Sequence, residues 1–243
     1  MNLNALHRRL MQDVLEIGNS LPLVITGGYA VQAHQLVDRL SRDIDVATDS
    51  SISMEDIASV VVAGLTARGW DMCIIGVDPR SARMTATDPA TGEHCELDIL
   101  KEVFNQPPAV TPYGPVLALY DVIGTKVRAL AGRGLPRDLI DIHAASQLCS
   151  NIELESLGRR HARDEQFSLS ELKARLDGAE WYDDQAFAEY GLSAEQSLTC
   201  AGGHRHGLAT SAGGPTPRTT RKTTTNRSEQ LIGGGSRGSQ RAN

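Results

Sequence analysis

The sequence predicts an α+β fold: a small mixed sheet, then a helical C-terminal half and a disordered tail. Three observations carry it. Apolar residues alternate between helix and strand periods over residues 1–112, keep helical spacing over residues 113–198, and lose any period over residues 199–243. Those three regimes mark the expected domains.

The first element, residues 2–19, reads as an amphipathic helix with Arg8 and Arg9 inside its pattern and no small-residue cleavage site, unlike a signal peptide. "LPLVITGG" reads as a buried strand running into a glycine turn, and "YAVQAHQLV" as a short helix. "DIDVAT" is strand-like, and "SMEDIASVVVAGLTARG" is a helix with Ser53 as N-cap and Gly69 as C-cap. Three strand-like pieces follow, "WDMCIIGV", "SARMTAT" and "HCELDIL". The turn signal "DPATGE" joins the last two into an antiparallel hairpin. From "GPVLALYDVIGTKVRALAGR" to about Leu192 the spacing is helical throughout. Beyond Gly202 the chain is dense in Gly, Thr, Ser and Arg and has no aromatic residue. Such a segment buries too little apolar surface to offset its ordering entropy.

Bulk properties exclude several classes. No run of eighteen apolar residues exists, so no membrane span is expected. Four scattered cysteines (Cys73, Cys95, Cys149, Cys200) without a CxxC pair point to reduced thiols in a cytoplasmic protein. Cys200, His204 and His206 cluster in the tail, but structural zinc wants four ligands. The net charge of −6 is uneven: residues 1–200 carry 17 Lys and Arg against 29 Asp and Glu, and residues 201–243 carry 7 against one. An acidic body speaks against a broad phosphate-backbone footprint.

Chemistry concentrates in "GGYAVQAHQLVDRLSRDIDVATD". Asp43 and Asp45, two apart in a strand, point to one face, and Glu96 and Asp98 do the same on a later strand. If those strands are neighbours, three or four carboxylates converge, a conflict that a hard divalent cation resolves. A water-facing acid pair on an edge strand would give the same "DxD" pattern. Gly27 and Gly28, between strand and helix, let backbone amides approach an anion; a plain tight turn would also use them. Lys126 and Arg133, seven apart, share a helix face, as a solvated face would also arrange. Arg137 and Asp141 stand at i and i+4, suited to a pair along one helix. His34 and His143 sit in apolar-periodic helices and read as hydrogen-bonded buried histidines.

"GG" followed by "DID" and later "LDIL" resembles the DNA polymerase beta-like nucleotidyltransferases. "LSRDIDVATD", "LYDVIGTKVRAL" and "RDLIDIHAA" narrow the resemblance to the nucleotidyltransferase toxins of the AbiEii and MenT type. It covers about residues 20–150 in specific motifs and continues to about 195 in helical character. The resemblance implies Mg2+ held by Asp43 and Asp45, with Asp98 as the third acid and Glu96 its weaker rival. Lys126 matches the lysine that reaches the triphosphate, with Arg133 beside it. Asp138 and Asp141 match an "RDxxD" segment whose acidic residue is needed for activity in relatives, and Ser41 a hydroxyl residue at a position that is modified by phosphorylation in some relatives. One departure is Tyr29, where relatives carry a small hydroxyl after the glycine pair.

The implied activity is transfer of NMP from an NTP to an acceptor hydroxyl, a tRNA 3′ end, by the toxin of a toxin–antitoxin pair. Arg39, Arg42, Arg80 and Arg83 are the expected acceptor-stem contacts, and a cognate antitoxin the expected protein partner. Two alternatives stay open: a small-molecule, aminoglycoside-like acceptor, and a non-catalytic member that binds a nucleotide or a partner.

Overall fold

A computed structural model describes residues 1–18, 21–162, 167–178, 182 and 184–191, all within one compact unit. The tail, with Cys200, His204 and His206, lies outside the described residues.

Helix α1 (Ala5–Ile17) starts where Asn4 accepts the His7 amide at 2.7 Å. It leads into β1 (Val24–Ile25), only two residues long, and α2 (Gly27–Ala33). The glycine pair is therefore the first turn of α2. Strand β2 (Asp43–Thr48) precedes α3 (Met54–Ala67). Ser53 caps α3 as expected, accepting from the Asp56 amide at 3.1 Å. Arg68 is the C-cap, and Gly69 follows it at φ +84°, a left-handed conformation that glycine takes without Cβ strain.

Strands β3 (Asp71–Asp78), β4 (Ser81–Thr87) and β5 (His94–Lys101) follow. The predicted hairpin is β4–β5, antiparallel, with Arg83 opposite Asp98. Two strands depart from expectation. β6 (Ala109–Thr111) and β7 (Gly114–Val116) form a short antiparallel ribbon where coil and then helix were read. Each has three residues, too few to show a period of two, and Gly114 turns the ribbon at φ +119°.

The seven strands run in the order β3-β4-β5-β2-β1-β7-β6. The pairs β2–β5 and β1–β7 are parallel and the rest antiparallel. Under the sheet, Leu10, Val14, Ile44, Ile57, Trp70 and Leu97 belong to one core cluster. A second cluster, including Val127, Leu139, Leu157 and Phe187, joins the helices α4 (Leu119–Gly132), α5 (Pro136–Ala145), α6 (Asn151–Arg160), α7 (Leu169–Asp177) and α8 (Asp184–Ala188). Pro136 occupies the first turn of α5, where its missing N–H costs nothing. Among the described residues no helix is long and apolar enough to cross a membrane.

Candidate active site

The parallel pairing of β2 and β5 sets Asp45 opposite Asp98 and Asp43 opposite Glu96. Period-two alternation then turns all four toward one face while Ile44 and Leu97 fill the core behind. Asp43, Asp45 and Asp98 line one cavity of about 110 Å³; Glu96 does not. Gly27, Gly28, Ser41, Lys126 and Arg133 line the same cavity. Strand order has thus gathered residues from β1–α2, β2, β5 and α4.

Each carboxylate is held differently. Asp98 accepts both forks of Arg83, at 2.9 and 2.7 Å. Asp43 meets Arg137 at 3.3 Å and accepts from the Ser41 hydroxyl at 3.2 Å. Among the described residues Asp45 has no ion pair of this kind. Burial, then the charge of Asp43, pushes its carboxyl up to about 6; Lys126 opposes the shift and Asp98 adds to it. The charge that Asp45 carries at neutral pH is thus under-compensated.

No trio of His, Cys, Asp or Glu among the described residues is drawn together as a ready metal cage, and Arg83 and Arg137 pair with two of the acids. The donor set nevertheless suits Mg2+: hard carboxylate oxygens on adjacent strands, one short of positive charge.

Gly27 sits at φ +61°, and a Cβ there would stand 1.9 Å from Asp45 Oδ2. Only glycine lets the turn and this carboxylate share the space. Gly27→Ala is expected to lower stability by about 1–2 kcal/mol from the left-handed backbone alone. It should weaken Mg2+·NTP binding further, which urea unfolding and calorimetric titration will read separately. A Cβ at Gly28 would meet Ser41 Oγ at 2.3 Å. The small hydroxyl missing at Tyr29 is therefore present beside the glycine turn, contributed by Ser41. Tyr29 itself is buried in the core, its hydroxyl 2.5 Å from His7 Nδ1.

Asp138 and Asp141 are buried and do not line the cavity. Each anchors cations that do. Asp138 takes Arg133 through two bonds of 2.9 Å, with Arg133 at the C-cap of α4 and not within the helix. Asp141 holds Arg39 at 2.6 and 2.8 Å and Lys126 at 3.0 Å. Burial raises its carboxyl pKa, but Lys126 and the bonds from Arg39 outweigh burial, and the net shift is downward.

Two expectations change. Arg137 does not pair with Asp141 along α5: it reaches Asp43, 94 residues away, and lines the cavity. Arg39 is buried on Asp141 and offers no surface to an acceptor stem. Arg83 pairs with Asp98 while its side chain stays 56% exposed at the cavity. Arg42 remains exposed, 3.6 Å from Glu189. Arg137 was missed because i, i+4 spacing had given it a partner; the signal was its place beside Asp138, one residue from an anchor of Arg133. His34 is satisfied as expected, its Nε2 2.8 Å from the Leu117 carbonyl. Cys73, Cys95 and Cys149 are free thiols.

A mixed sheet that lays paired strand aspartates beside a glycine turn, under a cationic helical wall, has the form of a nucleotidyltransferase. The chain belongs to a family of such enzymes: residues 9–197 match the family described as "Nucleotidyl transferase AbiEii toxin, Type IV TA system". It is thus a nucleotidyltransferase of a toxin family. Among curated proteins none matches by sequence. The crystal structure of JHP933 from Helicobacter pylori is similar over 82% of this chain and 90% of its own, at 17% identity and a TM-score of 0.51. A second Helicobacter pylori structure covers 83% and 93% at 18% identity and 0.52. At this identity both speak for the fold alone. MenT4, a nucleotidyltransferase toxin from Mycobacterium tuberculosis, aligns over 83% and 90% at 17% identity and 0.43.

Proposed function

We propose that this chain transfers NMP from an NTP to the 3′ hydroxyl of a tRNA in a Mg2+-dependent reaction in the cytoplasm, as a toxin countered by a cognate antitoxin. The observation that carries the reading is the register of β2 and β5, which puts Asp45 beside Asp98 within one cavity. Asp43, Asp45 and Asp98 would hold Mg2+, which when bound neutralises the triphosphate and polarises its phosphorus. The residues of the chain do the rest. The acceptor oxygen bonds to the α-phosphorus, the bond to the bridging oxygen of pyrophosphate breaks, and the acceptor proton passes to Asp98. That transfer requires the Arg83–Asp98 pair to open. Lys126, fixed by Asp141, neutralises charge growing on pyrophosphate, with Arg133 and Arg137 along the same wall. Thr26 caps α2 without a side-chain bond, leaving first-turn amides of the glycine pair available to the triphosphate.

The test incubates purified protein with Mg2+ and each α-labelled NTP, offering total RNA, aminoglycosides or protein, with Asp43→Ala as control. Label in tRNA supports the reading, and label in an aminoglycoside overturns the acceptor. No label anywhere overturns the activity. Growth arrest on induction, relieved by Lys126→Ala, is the expected cellular counterpart.

A further inference from the structure

The positive wall does not stop at the cleft. A second cavity of about 480 Å³ lies past the carboxyl ends of β2 and β5. Arg80, Lys101, Arg128 and Arg160 line it against Asp49 and Glu102. Arg128 and Glu102 line both cavities, so the two are adjacent. Arg128 forms their shared wall, donating to Glu102 at 2.8 and 2.6 Å and to the His161 carbonyl at 2.8 Å.

These cations come from the β3–β4 turn, β5, α4 and α6. A solvated helix face, the usual source of clustered charge, draws on one element and cannot produce this arrangement. The distribution is also selective. Nine of the 17 basic residues in positions 1–200 line the two cavities, against five of the 29 acidic ones. An acidic body has thus concentrated its positive charge around two adjacent cavities. The cleft alone has cations enough for a triphosphate, so those of the second cavity are surplus to that ligand.

We propose that this second cavity binds the phosphodiester backbone of a polynucleotide acceptor, behind its reacting 3′ hydroxyl. The proposal rests on the nucleotidyltransferase reading and places the backbone of its acceptor. The cavity's edge at Lys101 lies three residues beyond Asp98, roughly 10 Å at about 3.3 Å per strand residue, with the Lys101 side chain itself on the other face of β5. That is the range of the phosphates next to a terminal nucleotide held at the carboxylates. A polycationic acceptor such as an aminoglycoside would be repelled by the same walls.

The test uses the full chain and a short 5′-fluorescent single-stranded RNA, with binding followed by anisotropy across a salt series. Arg80 and Arg160 are exposed, so the double variant Arg80→Ala/Arg160→Ala should fold, which circular dichroism checks. Two lost phosphate contacts should lower affinity about tenfold and flatten the slope of log K against log salt by about 1.4. Arg68→Ala, which removes a charge away from both cavities, should leave both quantities unchanged. Mg2+·NTP affinity should be the same in the double variant as in wild type.

RNA affinity and slope unchanged in the double variant overturn the proposal, as does a parallel loss of NTP affinity. RNA binding that depends on the two arginines, in a protein that neither binds NTP nor transfers label, keeps the cavity assignment and removes the enzymatic reading instead.

Discussion

Replacing Asp45 by asparagine is expected to abolish nucleotidyl transfer while making the protein more stable. The two effects share one cause. Asp45 stands on β2 beside Asp43 and opposite Asp98, and its carboxyl is lifted to about 6 by burial and by Asp43. A raised pKa means the folded state binds the proton more tightly than the unfolded chain. Below about pH 4 both states are protonated and nothing is lost; from there to about pH 6 stability falls as pH rises, and then stays low. A shift from 3.8 to about 6 corresponds to a penalty on the order of 3 kcal/mol at neutral pH. The amide of the variant carries no charge and escapes it. Urea midpoints in EDTA, compared between wild type and Asp45→Asn from pH 4 to 7, should diverge with rising pH in favour of the variant. A variant less stable than wild type at pH 7 would contradict the account. Transfer should fall about 10³-fold or more, the scale of losing a group aimed at transition-state charge. Saturating Mg2+·NTP, at about 100 times its Kd, should stabilise wild type by about 2.7 kcal/mol and the variant far less.

What was legible in the sequence was whatever local spacing encodes. "DID" announces two acids on one face because the strand repeats every two residues, and "DPATGE" announces the hairpin that sets Asp98 opposite Arg83. The β2–β5 register followed from the assumption that the two strands touch, and they do. The cations were only half legible. Lys126 was found by resemblance, but its anchor Asp141 and that anchor's second cation Arg39 lie 102 residues apart. Nothing in local spacing encodes such a pair. The i, i+4 rule misled at Arg137 because a helix-surface pair is worth only a few tenths of a kcal/mol, while Asp141 had two cations within reach in a buried site. β6 and β7 escaped detection because three-residue strands are stabilised by pairing across the ribbon, not by a pattern of their own. The second cavity was invisible because four elements contribute one cation each.

Asp141→Ala is the variant expected to cost the most stability. Asp141 is buried with side chains that are themselves almost fully buried: Arg39 is 2% exposed and Lys126 8%. Removing the carboxylate leaves two cations facing each other without their shared counter-ion. Breaking a buried pair from one side costs about 3–5 kcal/mol, and here two cations are stranded. Arg39→Met is the informative comparison. It removes one cation and leaves Lys126 paired with Asp141, so its cost should be smaller. If Arg39→Met proves the more damaging, packing of the arginine and not its charge holds this region.

The pH dependence should run opposite to that of Asp45. The Asp141 pKa lies below its ordinary value, so its contribution is complete above the unfolded pKa and lost only as pH falls through the depressed one. The gap between wild type and Asp141→Ala should therefore hold constant across pH 5 to 7 and narrow only in stronger acid. Transfer is expected to fall about 10²-fold in the variant even where it remains folded, because Lys126 loses the contact that fixes its ammonium over the cleft. Mg2+·NTP affinity measured at low temperature, where the variant is folded, separates that local loss from global unfolding. A variant that binds NTP and transfers NMP at wild-type rates would show that Lys126 needs no such anchor.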